Sequence, residues 1–249
     1  MLEFHPVPCP VDASGVFETC RVQAGRVLHA EEHLRRLGAS LKTAGIFSWD
    51  AAEVRQRLQQ SARGMRQGSV RVMVRRCGTP WIVLHRHPGL PYPRRLYREG
   101  VSIRTSPSVW PGGDPAVGQI KASERLGSIL ARAETPEAFE LLRLGRHGYV
   151  TEGTVSNLFL VREGMLMTPP GWLGVLEGVT RTEILSAARR LKIPTRTVPV
   201  TRHDLFNAEE AFLSNVLMRI LPIREADGRR IGKKVPGPVT RRLMKDLSE

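Results

Sequence analysis

"YVTEGTVSNLFLV", Tyr149 to Val161, sets a polar island inside an apolar run. Glu152 breaks the run, Gly153, Thr154, Ser156 and Asn157 follow, and the apolar residues resume at Leu158. A solvent loop would account for the polar residues. The flanking apolar stretches, however, are of strand length and bounded by turn residues, so the segment reads as two strands meeting at a turn with a carboxylate at its edge.

The surroundings extend this pattern. Upstream, "AFELLRLG" reads as a strand; downstream come a short strand in "MLMTP" and a helix in "TRTEILSAARRLKI", where Ile184, Leu185, Ala188 and Leu191 share a face. The C-terminal part continues as strand "PTRTVPV", helical turn "RHDLFNA", strands "EAFLSNVL" and "RILPI", a hairpin at Asp227-Gly228, and a helix in "GPVTRRLMKDLS". Near the start, "GVFETCRV" alternates, with Val16, Glu18, Cys20 and Val22 on one side. A helix follows with Leu34, Leu37, Leu41 and Ala44 at helical spacing, then strands in "SVRVMVRRC", "PWIVLHRH" and "GVSIRTS". Ser106 to Gly118, "SPSVWPGGDPAVG", is rich in Pro and Gly and lacks a period, as an interdomain linker does. A helix is expected in "SERLGSILARAE" just beyond it. The fold class is therefore α/β (α+β), with a small N-terminal domain over 1–105, a linker over 106–118 and a larger domain over 119–249.

Composition is that of a globular chain: 249 residues, 41% hydrophobic and 25% charged. No apolar run approaches the roughly 18 residues of a membrane span, and "MLEFHPVPCP" lacks the features of a secretion signal, so a cytoplasmic protein is expected. Cys9, Cys20 and Cys77 form no CxxC pair, which argues against a disulfide framework or a zinc cluster. The net charge of +14 suits nucleic acid, an anionic surface or an anionic substrate. Its basic residues are scattered as pairs such as Arg35-Arg36 and Arg189-Arg190, as on a solvated surface, and no nucleic-acid-binding motif accompanies them, which argues against nucleic acid. His85 and His87 face one side of a strand, but without a third ligand they do not make a metal site.

Lysine is scarce, and Lys121 is the one that does not fall on a predicted helix surface, helix end or hairpin loop. A lysine held among apolar groups has a lowered amine pKa, which suits Schiff-base chemistry; an ordinary surface lysine is the plain alternative. A carboxylate such as Glu152 suits pyridoxal phosphate, whose ring nitrogen must stay protonated for the ring to accept electrons. Thr154, Ser156 and Asn157 are placed to bond that carboxylate or the ring. In "GVLEGVTRTEIL", Gly178, Val179 and Thr180 open a helix, where free N–H groups favour a phosphate; Thr180 also suits an ordinary N-cap.

With these motifs in order, the chain resembles the fold-type IV pyridoxal-phosphate enzymes: branched-chain aminotransferases, D-amino acid aminotransferases and 4-amino-4-deoxychorismate lyases. The resemblance runs from "GVFETCRV" and "EEHLRRL" through "IKASERL", "GYVTEGTVSNLFLV", "TPP" and "GVLEGVTRTEIL" to "EAFLSNVLMRILPI". It implies the two-domain D-amino acid aminotransferase-like fold and pyridoxal 5'-phosphate as cofactor. It makes Lys121 the Schiff-base lysine and Glu152 the partner of the pyridine nitrogen. Arg36 matches the phosphate-binding arginine, Val179 and Thr180 the phosphate-binding turn, and Leu176 the residue packed on the ring. Ser156, Asn215 and Val216 fall among the cofactor's neighbours, and a homodimer is implied.

Within that group, "FLSNVLMRILPI" is most similar to the lyase version of the strand, whereas branched-chain enzymes tend to carry Gly-Thr-Ala there. The expected activity is release of pyruvate and 4-aminobenzoate from aminodeoxychorismate, in folate precursor synthesis; a class IV aminotransferase is the alternative. Phe17 replaces the Tyr common in the D-amino acid branch. The short, proline-bearing "MLEFHPVPCPVDAS", Glu124 in place of an Asn common in relatives, and the abbreviated segment after Arg76 depart from the family pattern. Arg21, Arg76, Arg125 and Arg219 are the candidates for holding a substrate carboxylate, with Phe17 lining the pocket.

Overall fold

The computed structural model describes residues 15–77, 79–109, 118–121 and 135–248. The N-terminal stretch before Gly15, Glu124 and the helix expected in "SERLGSILARAE" lie outside the described residues. The chain separates into two compact units.

The first unit runs to Pro88 and takes in Ile120 and Lys121. Its strands are β1 (Gly15–Gln23), β2 (Arg26–Val27), β3 (Gln67–Cys77) and β4 (Thr79–Pro88), in the order β2-β1-β3-β4. Helices α1 (Ala30–Thr43) and α2 (Ala51–Ala62) cover one face of this sheet. Val16, Cys20 and Val22 of β1 and Val70, Val72 and Val74 of β3 pack against Leu34, Leu37 and Leu41 of α1 and Val54 and Leu58 of α2. Glu31 and Glu32 in the first turn of α1 and Lys42 in its last turn match the helix dipole. The sequence pattern missed α2. Its apolar side is a single line of Val54, Leu58 and Ala62, narrower than an ordinary amphipathic stripe, and its start is fixed by Asp50, which caps the amides of Ala52 and Glu53.

The second unit holds α3 (Arg94–Glu99), β5 (Val101–Val109), β6 (Glu140–Leu144), β7 (Val150–Gly153), β8 (Asn157–Arg162) and β9 (Met165–Thr168). After these come α4 (Val179–Arg190), β10 (Thr195–Thr197), α5 (Arg202–Phe206), β11 (Glu210–Asn215), β12 (Arg219–Ala226), β13 (Arg229–Arg230) and α6 (Pro238–Ser248). The strands form one nine-stranded sheet in the order β10-β9-β8-β11-β12-β5-β6-β7, with β13 on β12. Because β7 also pairs with β8, the strands β8-β11-β12-β5-β6-β7 close on themselves. Leu158 and Leu160 join the cluster of Leu142, Leu144, Leu213, Leu221 and Ile223, while Phe159 and Val161 turn the other way, onto Ile184 of α4 and Leu243 of α6. Strand β8 is thus buried on both faces, which is why "NLFLV" is continuously apolar. Phe159 stacks on its cross-strand partner Phe212 with ring centroids 5.0 Å apart.

The domain boundary falls earlier than the sequence suggested. β5 lies between β12 and β6, parallel to both, and so belongs to the second unit; the break is at Pro88. Residues 106–109 of the expected linker are part of β5, and 110–117 lie outside the described residues. Lys121 groups with the first unit rather than with 119–249, because Ile120 packs on the first unit's core and Phe17 N donates to Lys121 O at 3.0 Å. Among the described residues no helix is long and apolar enough to cross a membrane.

Candidate active site

In the first unit the chemistry gathers on β1. Glu18 shares its face with Val16 and Cys20, and a carboxylate 1% exposed needs partners. It has them: Arg36 Nε donates to Oε1 and Arg36 Nη2 to Oε2, each at 2.7 Å, and His33 Nδ1 lies 2.8 Å from Oε2. Burial alone would raise the Glu18 pKa, but the hydrogen bonds from His33 and Arg36 overcome it and hold the group at about 2. Burial pushes His33 below its ordinary value against the pull of Glu18. Arg36 is therefore a gripped, oriented guanidinium on α1, 15% exposed.

The opposite face of β1 carries Phe17, which sits beneath two cations. Lys121 Nζ lies 5.2 Å and Arg71 Cζ 4.9 Å from the ring centroid. Phe17 thus engages Lys121 twice, through its amide and through its ring, and it is 5% exposed. Arg71 also points its Nε at Thr19 Oγ1, 3.3 Å away. It was not among the arginines singled out from sequence. The register of β3 on β1, which puts Arg71 opposite Thr19 and beside the Phe17 ring, brings it there.

In the second unit the site is built on the β7–β8 hairpin. Glu152 Oε2 accepts from Asn157 Nδ2 at 3.2 Å and from the Leu176 amide at 3.0 Å. The same Asn157 nitrogen donates to Leu176 O at 2.8 Å. Leu176 therefore serves Glu152 through its backbone. Ser156, expected at Glu152 or the cofactor, instead donates to Glu140 Oε2 at 2.9 Å, and Thr154 Oγ1 donates to Glu140 Oε1 at 2.5 Å. The polar island serves two acids: Asn157 holds Glu152, while Thr154 and Ser156 hold Glu140. Glu140 escaped the sequence reading, and its signal was a lone acid in "FELLRL".

Helix α4 opens at Gly178, which is its N-cap; Thr180, expected as a possible cap, is the second residue of the helix and is buried. No side chain among the described residues caps this end. The start of α4 thus has the backbone geometry for an anion. A Cβ on Gly178 would lie 2.3 Å from Asn157 Oδ1, so glycine is what lets this turn approach the Glu152 support. Arg181, on the same helix, is buried and donates from Nη2 to Pro169 O at 3.1 Å; burial lowers its pKa, while Glu177 and Glu152 raise it.

Asn215 ends β11 at the same end of the sheet, since Ser214 pairs with Asn157. Its Oδ1 accepts from the amides of Leu217 and Met218 (2.9 and 2.8 Å), and its Nδ2 donates to Val155 O (3.1 Å). Asn215 and Val216 thus lie in a turn that the asparagine closes and ties to the β7–β8 hairpin. Arg219, one of the arginines considered for a substrate carboxylate, has its guanidinium held by Glu183 at 3.0 and 2.8 Å and by Leu247 O at 2.6 Å, which binds α4 and α6 to β12. Arg76 is placed on β3 opposite Pro80 by its backbone, and Arg125 lies outside the described residues. Among the described residues no group of three or more His, Cys, Asp or Glu is arranged to hold a metal ion.

Each unit by itself carries groups whose chemistry suits a phosphorylated pyridine cofactor: in the second, a carboxylate fixed by two donors and a helix start without a side-chain cap; in the first, an oriented arginine and a lysine on an aromatic ring. Comparison with known proteins points the same way. The family model described as Amino-transferase class IV matches residues 15–226. A putative branched-chain-amino-acid aminotransferase of Methanocaldococcus jannaschii is 31% identical over 94% of this chain and 86% of its own. The structure of 4-amino-4-deoxychorismate lyase from Pseudomonas aeruginosa superposes with a TM-score of 0.85 at 32% identity, covering 94% of this chain and 89% of that one. The branched-chain amino acid aminotransferase of T.th., solved with pyridoxamine 5'-phosphate, superposes with a TM-score of 0.85 at 25% identity, covering 94% and 84%.

Proposed function

Because the chain belongs to the class IV aminotransferase family of pyridoxal-phosphate enzymes, we propose that it is a 4-amino-4-deoxychorismate lyase. Bound pyridoxal phosphate supplies an aldehyde for the substrate amine and a ring that accepts electrons. Glu152, fixed by Asn157 and the Leu176 amide, holds a proton at the ring nitrogen. The start of α4 would hold the phosphate, a role that the family resemblance also gives Arg36. Lys121 Nζ takes the proton from the amine-bearing carbon. Loss of that proton together with cleavage of the neighbouring C–O bond would leave the six-membered ring aromatic as 4-aminobenzoate and expel the enolate of pyruvate, which takes up a proton at carbon.

The observation that carries the lyase reading is the Asn215 turn. Its side chain already occupies the amides of Leu217 and Met218, so the turn does not offer them to an amino acid's carboxylate, as a turn of small residues without that side chain would. The similarity to the Pseudomonas lyase at 32% identity supports it. The scattered positive charge suits a substrate with two carboxylates. On the same reading the protein works as a cytoplasmic homodimer in folate precursor synthesis and binds neither nucleic acid nor membrane.

An aminotransferase is the second reading, favoured by the Methanocaldococcus relative. Aminodeoxychorismate incubated with the cofactor-loaded protein, with no 2-oxo acid present, separates the two. Repeated release of 4-aminobenzoate and pyruvate is expected. No product from protein that retains bound cofactor would overturn the lyase reading and leave the aminotransferase.

A further inference from the structure

Glu140 is 1% exposed, yet among the described residues it bonds to no cation. Its Oε1 accepts from the amides of Leu141 (3.0 Å) and Thr154 (3.1 Å) and from Thr154 Oγ1. Its Oε2 accepts from the Val155 amide (3.3 Å) and Ser156 Oγ (2.9 Å). All but the first of these donors belong to the short turn between β7 and β8. That turn also closes on itself through Gly153 N to Ser156 O at 2.7 Å, and it brings Glu152 opposite Asn157, the sole registered pair between the two strands. The fit is tight: a Cβ on Gly153 would meet Ser156 Oγ at 2.3 Å and Glu140 Cδ at 2.8 Å.

We propose that Glu140 is a positioning residue for Glu152: its buried carboxylate gathers the amides and hydroxyls of the Thr154–Ser156 turn and so fixes the carboxylate at the ring nitrogen. A buried acid is costly unless its acceptors are filled, and here they are filled by the very segment that separates Glu152 from Asn157. No neutral side chain of the same shape reproduces this. In Glu140→Gln the amide nitrogen faces a backbone N–H whichever way it is turned, because each oxygen position has at least one amide donor. The inference rests on the proposed role of Glu152 and is the same for a lyase or an aminotransferase.

The test is a double-mutant cycle read by affinity of the cofactor-free protein for pyridoxal phosphate, with Glu140→Gln, Glu152→Gln and the double variant. Glu140→Gln is expected to weaken binding about tenfold in the wild-type background, the size of one lost buried acceptor, and less than about twofold when Glu152 is already Gln. Equal losses in both backgrounds would mark a merely structural role and overturn the proposal, as would no loss in either. If Glu152→Gln alone leaves affinity unchanged, the role of Glu152 fails, and this inference falls with it. Should Glu140→Gln not fold, Ser156→Ala removes one donor to the same carboxylate and enters the cycle instead. It is then expected to lose about threefold in the wild-type background alone, with equal losses again overturning the proposal.

Discussion

Arg36 meets Glu18 with two hydrogen bonds of 2.7 Å, one to each carboxylate oxygen, while His33 closes on the same acid from one turn earlier on α1. The pair fixes the arginine's plane before any phosphate arrives, which lowers the cost of ordering it on binding. It also couples stability to pH. The folded pKa of Glu18 is depressed, so its contribution is fully present above the ordinary value of 4.5 and is lost as pH falls toward about 2. His33 is also depressed, so below its ordinary 6.5 the unfolded chain takes up a proton that the folded chain resists. Both terms have the same sign. Stability of the cofactor-free protein should therefore decline from near pH 6.5 downward and more steeply below pH 4.5. Glu18→Gln should cost about 3 kcal/mol at neutral pH, by stranding a guanidinium, and should flatten the acid limb. Urea unfolding across pH checks both.

Lys121 is expected to be indispensable. Lys121→Ala should abolish turnover and the visible absorbance of the lysine-linked cofactor while leaving the fold intact, since the strand contact is made by its backbone oxygen. Unchanged activity would remove the proposed chemistry. Phe17→Leu, which takes away the ring beneath the ammonium, should keep activity measurable but shift its pH profile.

Much of this architecture was readable in advance where one element's own pattern determines its fate. The alternation in β1, the spacing of Leu34, Leu37 and Leu41, and the run at Leu158 follow from period alone. What escaped depends on partners distant in the chain. β5 joins the second unit because Val101 pairs with Ile223, a contact no local pattern encodes. Ser156 and Thr154 looked like neighbours of Glu152, yet they turn to Glu140, one strand away. Glu18 did leave a trace, as the lone acid on the apolar side of an alternating strand, where an acid needs a buried partner.

The arginines should separate by role. Arg71 lies over the same ring as Lys121, whereas Arg219 is locked between Glu183 and Leu247. Arg71→Ala should raise KM for a carboxylate substrate about tenfold with little change in kcat, the loss of one charge-assisted hydrogen bond. Arg219→Ala should leave KM within about twofold and cost about 2 kcal/mol of stability. Steady-state kinetics and thermal unfolding of the two variants, side by side, decide the assignment; a tenfold KM change in Arg219→Ala alone would reverse it.

Gly178 offers a substitution whose damage should fall on cofactor binding more than on folding. Its φ of −63° and ψ of 139° suit alanine, so the backbone itself raises no objection. The obstacle is Asn157, whose Oδ1 lies 2.3 Å from where the new Cβ would stand. Asn157 cannot swing aside cheaply, because its Nδ2 is spent on Glu152 and on Leu176 O. Gly178→Ala must therefore either push the asparagine off Glu152 or lift the start of α4, and each outcome degrades one end of the proposed cofactor site. Affinity for pyridoxal phosphate should fall at least about tenfold, while the loss of stability stays near 1 kcal/mol, typical of a tolerated steric change. Asn157→Ala in the same background relieves the clash. If the clash is the cause, the second substitution should add little further loss, and full additivity would show that Gly178 and Asn157 act independently.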